Sequence, residues 1–143
     1  MVIAIDFDGT IVEHRYPKIG KEIPFAFATL KQLQAEHHKL ILWSVREGEL
    51  LDEAVEYCRS RGVEFFAVNS NYPEEPLAKN TNCACRKLKA DLFIDDRNLG
   101  GLPDWGVIYR IIHERRSFDD YWKEVYQGAR EEKKSLWDKL RGR

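Results

Sequence analysis

Long hydrophobic runs, cysteine and an excess of either charge are all scarce in this 143-residue chain, and each scarcity excludes something. The longest apolar runs, Met1 to Ile5 and Leu40 to Trp43, fall far short of the roughly 20 residues that a helix needs to cross a bilayer. No membrane-spanning role is expected. Three cysteines, Cys58, Cys83 and Cys85, cannot all pair within the chain, and acidic residues arrive at Asp6 and Asp8, where a signal peptide would be apolar. A reducing, cytoplasmic setting is the expectation. A formal net charge of −1 provides no field to gather nucleic acid or anionic lipid. Internal repeats, low-complexity tracts and interdomain linkers are lacking too, and the length fits one domain over 1–143 with its own core.

What is there is a series of short, wholly apolar runs that each end in polar residues. Val2-Ile3-Ala4-Ile5 empties into Asp6-Phe7-Asp8-Gly9-Thr10, Leu40-Ile41-Leu42-Trp43 into Ser44, and Leu92-Phe93-Ile94 into Asp95-Asp96. Runs of this kind read as buried strands. Weaker strands are expected at Val63–Val68 and Gly106–Ile111. Helical patterns lie between them: one around Phe25, Ala28 and Leu33 with Pro24 at its start, one from Leu50 to Arg61 closed by Gly62. Alternation of strand and helix predicts an α/β fold, a three-layer α/β/α Rossmann-like parallel sheet. From Ser117 to about Arg141, Phe118, Tyr121, Trp122, Val125 and Tyr126 recur at helical spacing behind a Ser117 N-cap, a stripe expected to pack in the core. Residues 69–86, rich in Asn and Pro, read as a long loop.

In an open parallel sheet the binding crevice lies outside the carboxyl ends of the strands, and three strands deliver their polar residues to that edge. With the first and fourth strands as neighbours, Asp6, Asp8, Asp95 and Asp96 gather in one place, where four carboxylates repel strongly. Either some of them take up protons or a hard divalent cation binds among them. Oxygen-only ligands favour Mg²⁺, with no His or Cys at matching positions to suggest Zn²⁺. Mg²⁺ keeps several waters and pairs with phosphate, so a phosphate ester is the ligand class that the acids suggest.

These residues resemble the haloacid dehalogenase (HAD) superfamily of phosphohydrolases. A hydrophobic strand followed by Asp-x-Asp-Gly-Thr matches residues 3–10, a strand ending in Ser or Thr matches Ile41-Leu42-Trp43-Ser44, and a strand ending in paired acids matches Leu92 to Asp96. The remaining motif is a Lys upstream of the last strand. Lys87 is assigned to it, with Lys79 and Lys89 as competitors. Taken singly, Ser44 reads as a turn residue and Lys87 as a solvated charge, and it is the order of the motifs that lifts them.

The resemblance implies that Asp6 attacks phosphorus to give an aspartyl-phosphate. Asp8 would protonate the leaving oxygen and later activate water, a division of labour that two acids in different environments can carry. It implies that Mg²⁺ is held by Asp6, by Asp8 through its backbone carbonyl, and by the Asp95-Asp96 pair, with Asp96 favoured. Ser44 and Lys87 would hold phosphoryl oxygens, with Gly9 and Thr10 beside the phosphate. It also implies phosphatase chemistry, since members that transfer phosphate to water need the second acid.

The gaps Ile11–Leu40 and Val45–Arg86 leave no room for a cap domain, so the chain resembles the capless subgroup. Expected partners are a phosphorylated small molecule or a phosphorylated macromolecular end. Arg46 and Arg97, each just past a motif, are candidates to meet substrate charge. Cys83-Ala84-Cys85 lacks a second cluster and reads as free thiols, and His37-His38 as a solvated or dipole-facing pair. The rival expectation is a non-catalytic module with the same fold that binds Mg²⁺ or a phosphorylated ligand.

Overall fold

The computed structural model describes residues 1–75 and 87–141. They fall into two compact units, Met1–Trp105 and Gly106–Arg143. In the first unit, β1 (Val2–Ile5), β2 (Lys39–Leu42), β3 (Ala67–Val68) and β4 (Leu92–Ile94) form one sheet in the order β3-β2-β1-β4. All three pairings are parallel, with Ile5 opposite Leu42 on one side and Ile94 on the other. This is a small α/β Rossmann-like arrangement. The chain steps outward from β1 to β3 and then returns to the far side of β1, so a topological switch point lies between β1 and β4.

Strand alternation divides the apolar residues between two faces. Ala4, Ile41 and Ala67 form one buried cluster with Leu88, flanked by Val2, Trp43 and Phe93. Ile3, Ile5, Leu40 and Leu42, fully buried or nearly so, point the other way. Right-handed crossovers place α1 (Ala26–Ala35) and α2 (Gly48–Ser60) on a common face. There Tyr57 of α2 meets Phe27 of α1 at 6.0 Å and Phe7 edge-on at 6.3 Å.

Both helices end in a Schellman motif. At α2, Gly62 (φ 83°) supplies the left-handed residue, Val63 N–H bonds Cys58 C=O and Gly62 N–H bonds Arg59 C=O. At α1 the same two bonds, His38 to Leu33 and His37 to Gln34, are made with His37 at φ 63°. A histidine thus stands where glycine costs least.

The second unit contains most of α3 (Trp105–His113), all but its first residue, and α4 (Phe118–Leu140). The expected strand Gly106–Ile111 is a correction: the segment is helical. Its β-branched residues suggested a strand, yet the buried positions Trp105, Ile108 and Ile112 recur at i, i+3 and i+7, a helical period. The strand expected over Val63–Val68 is confined to Ala67–Val68.

Helix α4 begins as expected. Ser117 Oγ accepts the Asp120 N–H at 3.1 Å and donates to Asp120 Oδ2 at 2.6 Å, a reciprocal cap. Its aromatic stripe is a second correction, because Phe118, Trp122 and Val125 are about 40% exposed and Tyr126 is 67% exposed. The rings cover one another along the helix instead, with Phe118 against Tyr121 and Trp122, and Trp122 against Tyr126. Among the described residues no helix is long and apolar enough to cross a membrane.

Candidate active site

The acids converge because the register makes them. Asp6 follows β1 and Asp95 follows β4, and Asp6 N–H continues the ladder to Ile94 C=O at 2.9 Å. Oxygens of Asp6, Asp95 and Asp96 lie within 4.8 Å of one another at the switch point. The turn that follows β1 is drawn tight: Ile11 and Val12 N–H groups both reach Phe7 C=O, and Gly9 N–H bonds Val12 C=O. Gly9 has φ 94°, and a Cβ there would sit 2.3 Å from Asp96 Oδ2. Only glycine lets the first and last acidic motifs approach so closely.

Thr10 braces that approach. Its fully buried hydroxyl donates to Asp6 Oδ2 at 3.0 Å and accepts the Asp96 N–H at 3.0 Å. Trp105, also buried, donates its indole N–H to Thr10 C=O at 3.0 Å. Thr10, expected beside phosphate, is therefore engaged in holding the two acidic motifs together.

Burial pushes the Asp6 carboxyl from its ordinary value of 3.8 up to about 7. The Phe7 backbone and Thr10 hydrogen bonds lower it in part, and repulsion from Asp95 and Asp96 adds a smaller push upward. Asp95 Oδ1 accepts the Arg97 N–H at 2.8 Å. Asp96 Oδ1 is buried and has no hydrogen-bond partner among the described residues, a costly state for a carboxylate oxygen unless something else meets it. Three oxygen donors and one orphaned acceptor fit a hard cation such as Mg²⁺.

Asp8 stands apart from this cluster. Arg46, fully buried, donates Nε to Asp8 Oδ2 at 2.6 Å and Nη2 to Asp8 Oδ1 at 2.7 Å. The remainder of the fork donates to Pro17 C=O (2.9 Å) and Lys18 C=O (3.1 Å). Its hydrogen bonds to Asp8 raise the guanidinium further above its already high range. Arg46, a candidate for substrate charge in the sequence, is directed at Asp8 and at the loop carrying Tyr16.

Ser44 is held by a side chain that sequence reasoning missed. Asn69, left-handed at φ 49° just past β3, accepts Ser44 N–H through Oδ1 and donates Nδ2 to Ser44 C=O, both at 2.8 Å. An Asn at the end of a strand tolerates that backbone and is the one available signal. Ser44 Oγ accepts the Arg46 N–H at 3.2 Å.

An open cleft of about 490 Å³ joins these groups, with Asp6, Asp8, Ser44 and Asp95 in its wall. Arg97 also lines it, as do His14 and Tyr16 from the loop after β1 and Trp43 from the end of β2. Lys87 is exposed, with Nζ 5.8 Å over the Phe93 ring. Phe93 stands edge-on to Trp43 of the cleft wall at 5.1 Å, and Lys87 does not itself line the cleft. Lys89 is exposed and donates its backbone N–H to Asn71. Lys79, Cys83 and Cys85 lie outside the described residues.

No protein-family model matches the chain, and no curated protein matches it. The D,D-heptose 1,7-bisphosphate phosphatase of B. bronchiseptica, solved with magnesium and phosphate, aligns at 16% identity over 60% of this chain and 55% of its own. Its TM-score of 0.40 is too slight a likeness to bear on function. A conserved protein of Bacteroides thetaiotaomicron is 67% identical, with a TM-score of 0.76 over 85% of this chain and 97% of that one. The chain belongs to the family of that conserved Bacteroides thetaiotaomicron protein.

Proposed function

We propose that this protein is a Mg²⁺-dependent, capless HAD-type phosphohydrolase that cleaves a phosphate monoester through Asp6. One observation carries the reading: oxygens of Asp6, Asp95 and Asp96 meet within 4.8 Å while a buried oxygen of Asp96 has no partner among the described residues. Asp6, Asp95 and Asp96 would hold the ion. Bound there, Mg²⁺ would offset the mutual repulsion of the acids and polarise a phosphoryl oxygen.

Asp6 would be the nucleophile, a role supported by its place in the cleft wall and by the Thr10 hydroxyl that holds one of its carboxylate oxygens. Its carboxylate oxygen bonds to phosphorus as the ester P–O bond breaks, and the departing oxygen takes a proton to leave as an alcohol. Water then attacks phosphorus, the bond to Asp6 breaks, and inorganic phosphate is released. Ser44, held in the wall by Asn69, would meet a phosphoryl oxygen. For Asp8 to supply the proton, its carboxyl would have to take one up beside the Arg46 guanidinium, which donates to both of its oxygens and favours the ionised form.

That pairing favours a second reading, in which the protein binds Mg²⁺ and a phosphorylated ligand without turnover. Hydrolysis of a generic aryl phosphate separates the two. The proposal expects turnover that requires Mg²⁺, is abolished by EDTA and is lost in a folded Asp6→Asn variant. Mg²⁺-dependent ligand binding without turnover across a broad ester panel would leave the second reading standing.

A further inference from the structure

Resting on the phosphatase reading of this same cleft, we infer that it selects monoesters whose leaving group carries a planar aromatic ring, seated against Trp43 and Tyr16. The register brings the indole to the reacting centre. Ile5 pairs with Leu42, and Trp43 N–H bonds Ile5 C=O at 2.8 Å, so Trp43 stands one strand spacing from Asp6, roughly 4.8 Å between backbones. Alternation puts both side chains on the same face of the sheet. The indole is set by the Phe93 ring at 5.1 Å with their planes 63° apart.

Tyr16 is likewise positioned. Its ring lies 5.3 Å from the buried Arg46 guanidinium, which the Asp8 carboxylate and the carbonyls of Pro17 and Lys18 fix in turn. Half of the tyrosine remains exposed, and it lines the cleft with Trp43 and His14. The cleft volume of about 490 Å³ suits a small molecule. Asp6, Asp8, Ser44 and Asp95 in its wall are where phosphate would sit. The rest of the described wall consists of the aromatic side chains of Trp43, Tyr16 and His14, the apolar Val45, and Arg97. A bare sugar would leave its hydroxyls unmatched against such a wall, whereas a flat ring stacks on it whatever its substituents.

The test uses Mg²⁺-loaded protein and ester pairs that share a primary-alcohol leaving group, so that chemistry does not mask recognition. Uridine and adenosine 5′-monophosphates are compared with ribose 5-phosphate, and benzyl phosphate with cyclohexylmethyl phosphate. The first pair reads a ring carried beyond a sugar, the second a ring one carbon from the ester oxygen. The expected kcat/KM is at least about tenfold higher for the aromatic member of one pair. Trp43→Leu and the more exposed Tyr16→Leu should each cut that ratio severalfold. Equal rates within both pairs, or ratios that neither variant changes, overturn the inference while leaving the phosphatase reading intact. If none of these esters turns over, the phosphatase reading is decided by the broad ester panel, and calorimetric binding of the same pairs decides ring selection by the cleft. Affinity at least about tenfold tighter for an aromatic member supports it, and equal affinity overturns it.

Discussion

The Asp6 carboxyl makes the ion-free protein sensitive to pH in an unusual direction. Its folded pKa of about 7 lies above the ordinary 3.8, so between these values the folded state holds a proton that the unfolded state releases. Stability therefore falls as pH rises through that window, and the loss is complete above the folded value. The full displacement corresponds to about 4 kcal/mol. Because the cleft is open to water and salt, about 2 kcal/mol is the more realistic size. For a domain of this length that is a fall in Tm of about 8 °C. Thermal unfolding in EDTA at pH 5 and pH 8, for wild type and Asp6→Asn, isolates the effect from other titrating groups. The variant should be the more stable of the two at pH 8. Millimolar Mg²⁺ should reverse that order, since an ion bound only to the folded state adds stability. A wild type that gains stability from pH 5 to pH 8 in EDTA relative to Asp6→Asn would refute the reasoning.

Other residues give sharper local tests. Arg46→Met leaves Asp8 buried without its cation and should cost about 3–5 kcal/mol in denaturant unfolding; adding Asp8→Asn should recover part of that loss, and a cost under about 1 kcal/mol would show that the pair does not anchor the site. Gly9→Ala places a Cβ 2.3 Å from Asp96 Oδ2 at a φ of 94°, and should weaken Mg²⁺ binding about tenfold or more by calorimetry through displacement of a carboxylate proposed to hold the ion. Cys58 is buried with its thiol pushed up to about 12 by desolvation, so peptide mapping after alkylation at pH 8 should find it unmodified in the folded protein and modified in denaturant.

The sequence exposed the frame of the site because the frame is made of long-lived, local signals. β1, β2 and β4 are apolar runs with abrupt polar ends, and a parallel sheet has one edge at which such ends can meet. What it concealed are matters of partner and direction. Residues 106–111 carry enough β-branching to pass for a strand, and only the burial of Trp105, Ile108 and Ile112 reveals the helical period. The stripe on α4 has the spacing of a core face, yet spacing does not distinguish rings that pack on a neighbour from rings that pack on one another. The Arg46–Asp8 and Asn69–Ser44 bonds join residues 38 and 25 positions apart, and no local pattern announces a pair of that kind. Thr10 was visible as part of a motif, but its two-way bond to Asp6 and Asp96 depends on how closely the turn is drawn.

Asp6 and Asp8 are separated by one residue, and the fold gives them opposite neighbours. Asp6 is set among Asp95 and Asp96, Asp8 against a guanidinium that occupies both of its oxygens. Had Arg46 reached the three-acid cluster, the charge there would be partly met by the chain itself, and the incentive to take up a divalent ion would be smaller. By giving Arg46 to Asp8, and by tying Arg46 to the carbonyls of the loop that carries Tyr16, the structure keeps that guanidinium off Asp6, whose charge the proposed Mg²⁺ would offset. The environment of the second acid is tied to that loop instead. Removing the ion and removing the arginine should therefore disturb different carboxylates of the same short turn: the first should change how Asp6 titrates, the second should change how firmly Asp8 and Tyr16 are held.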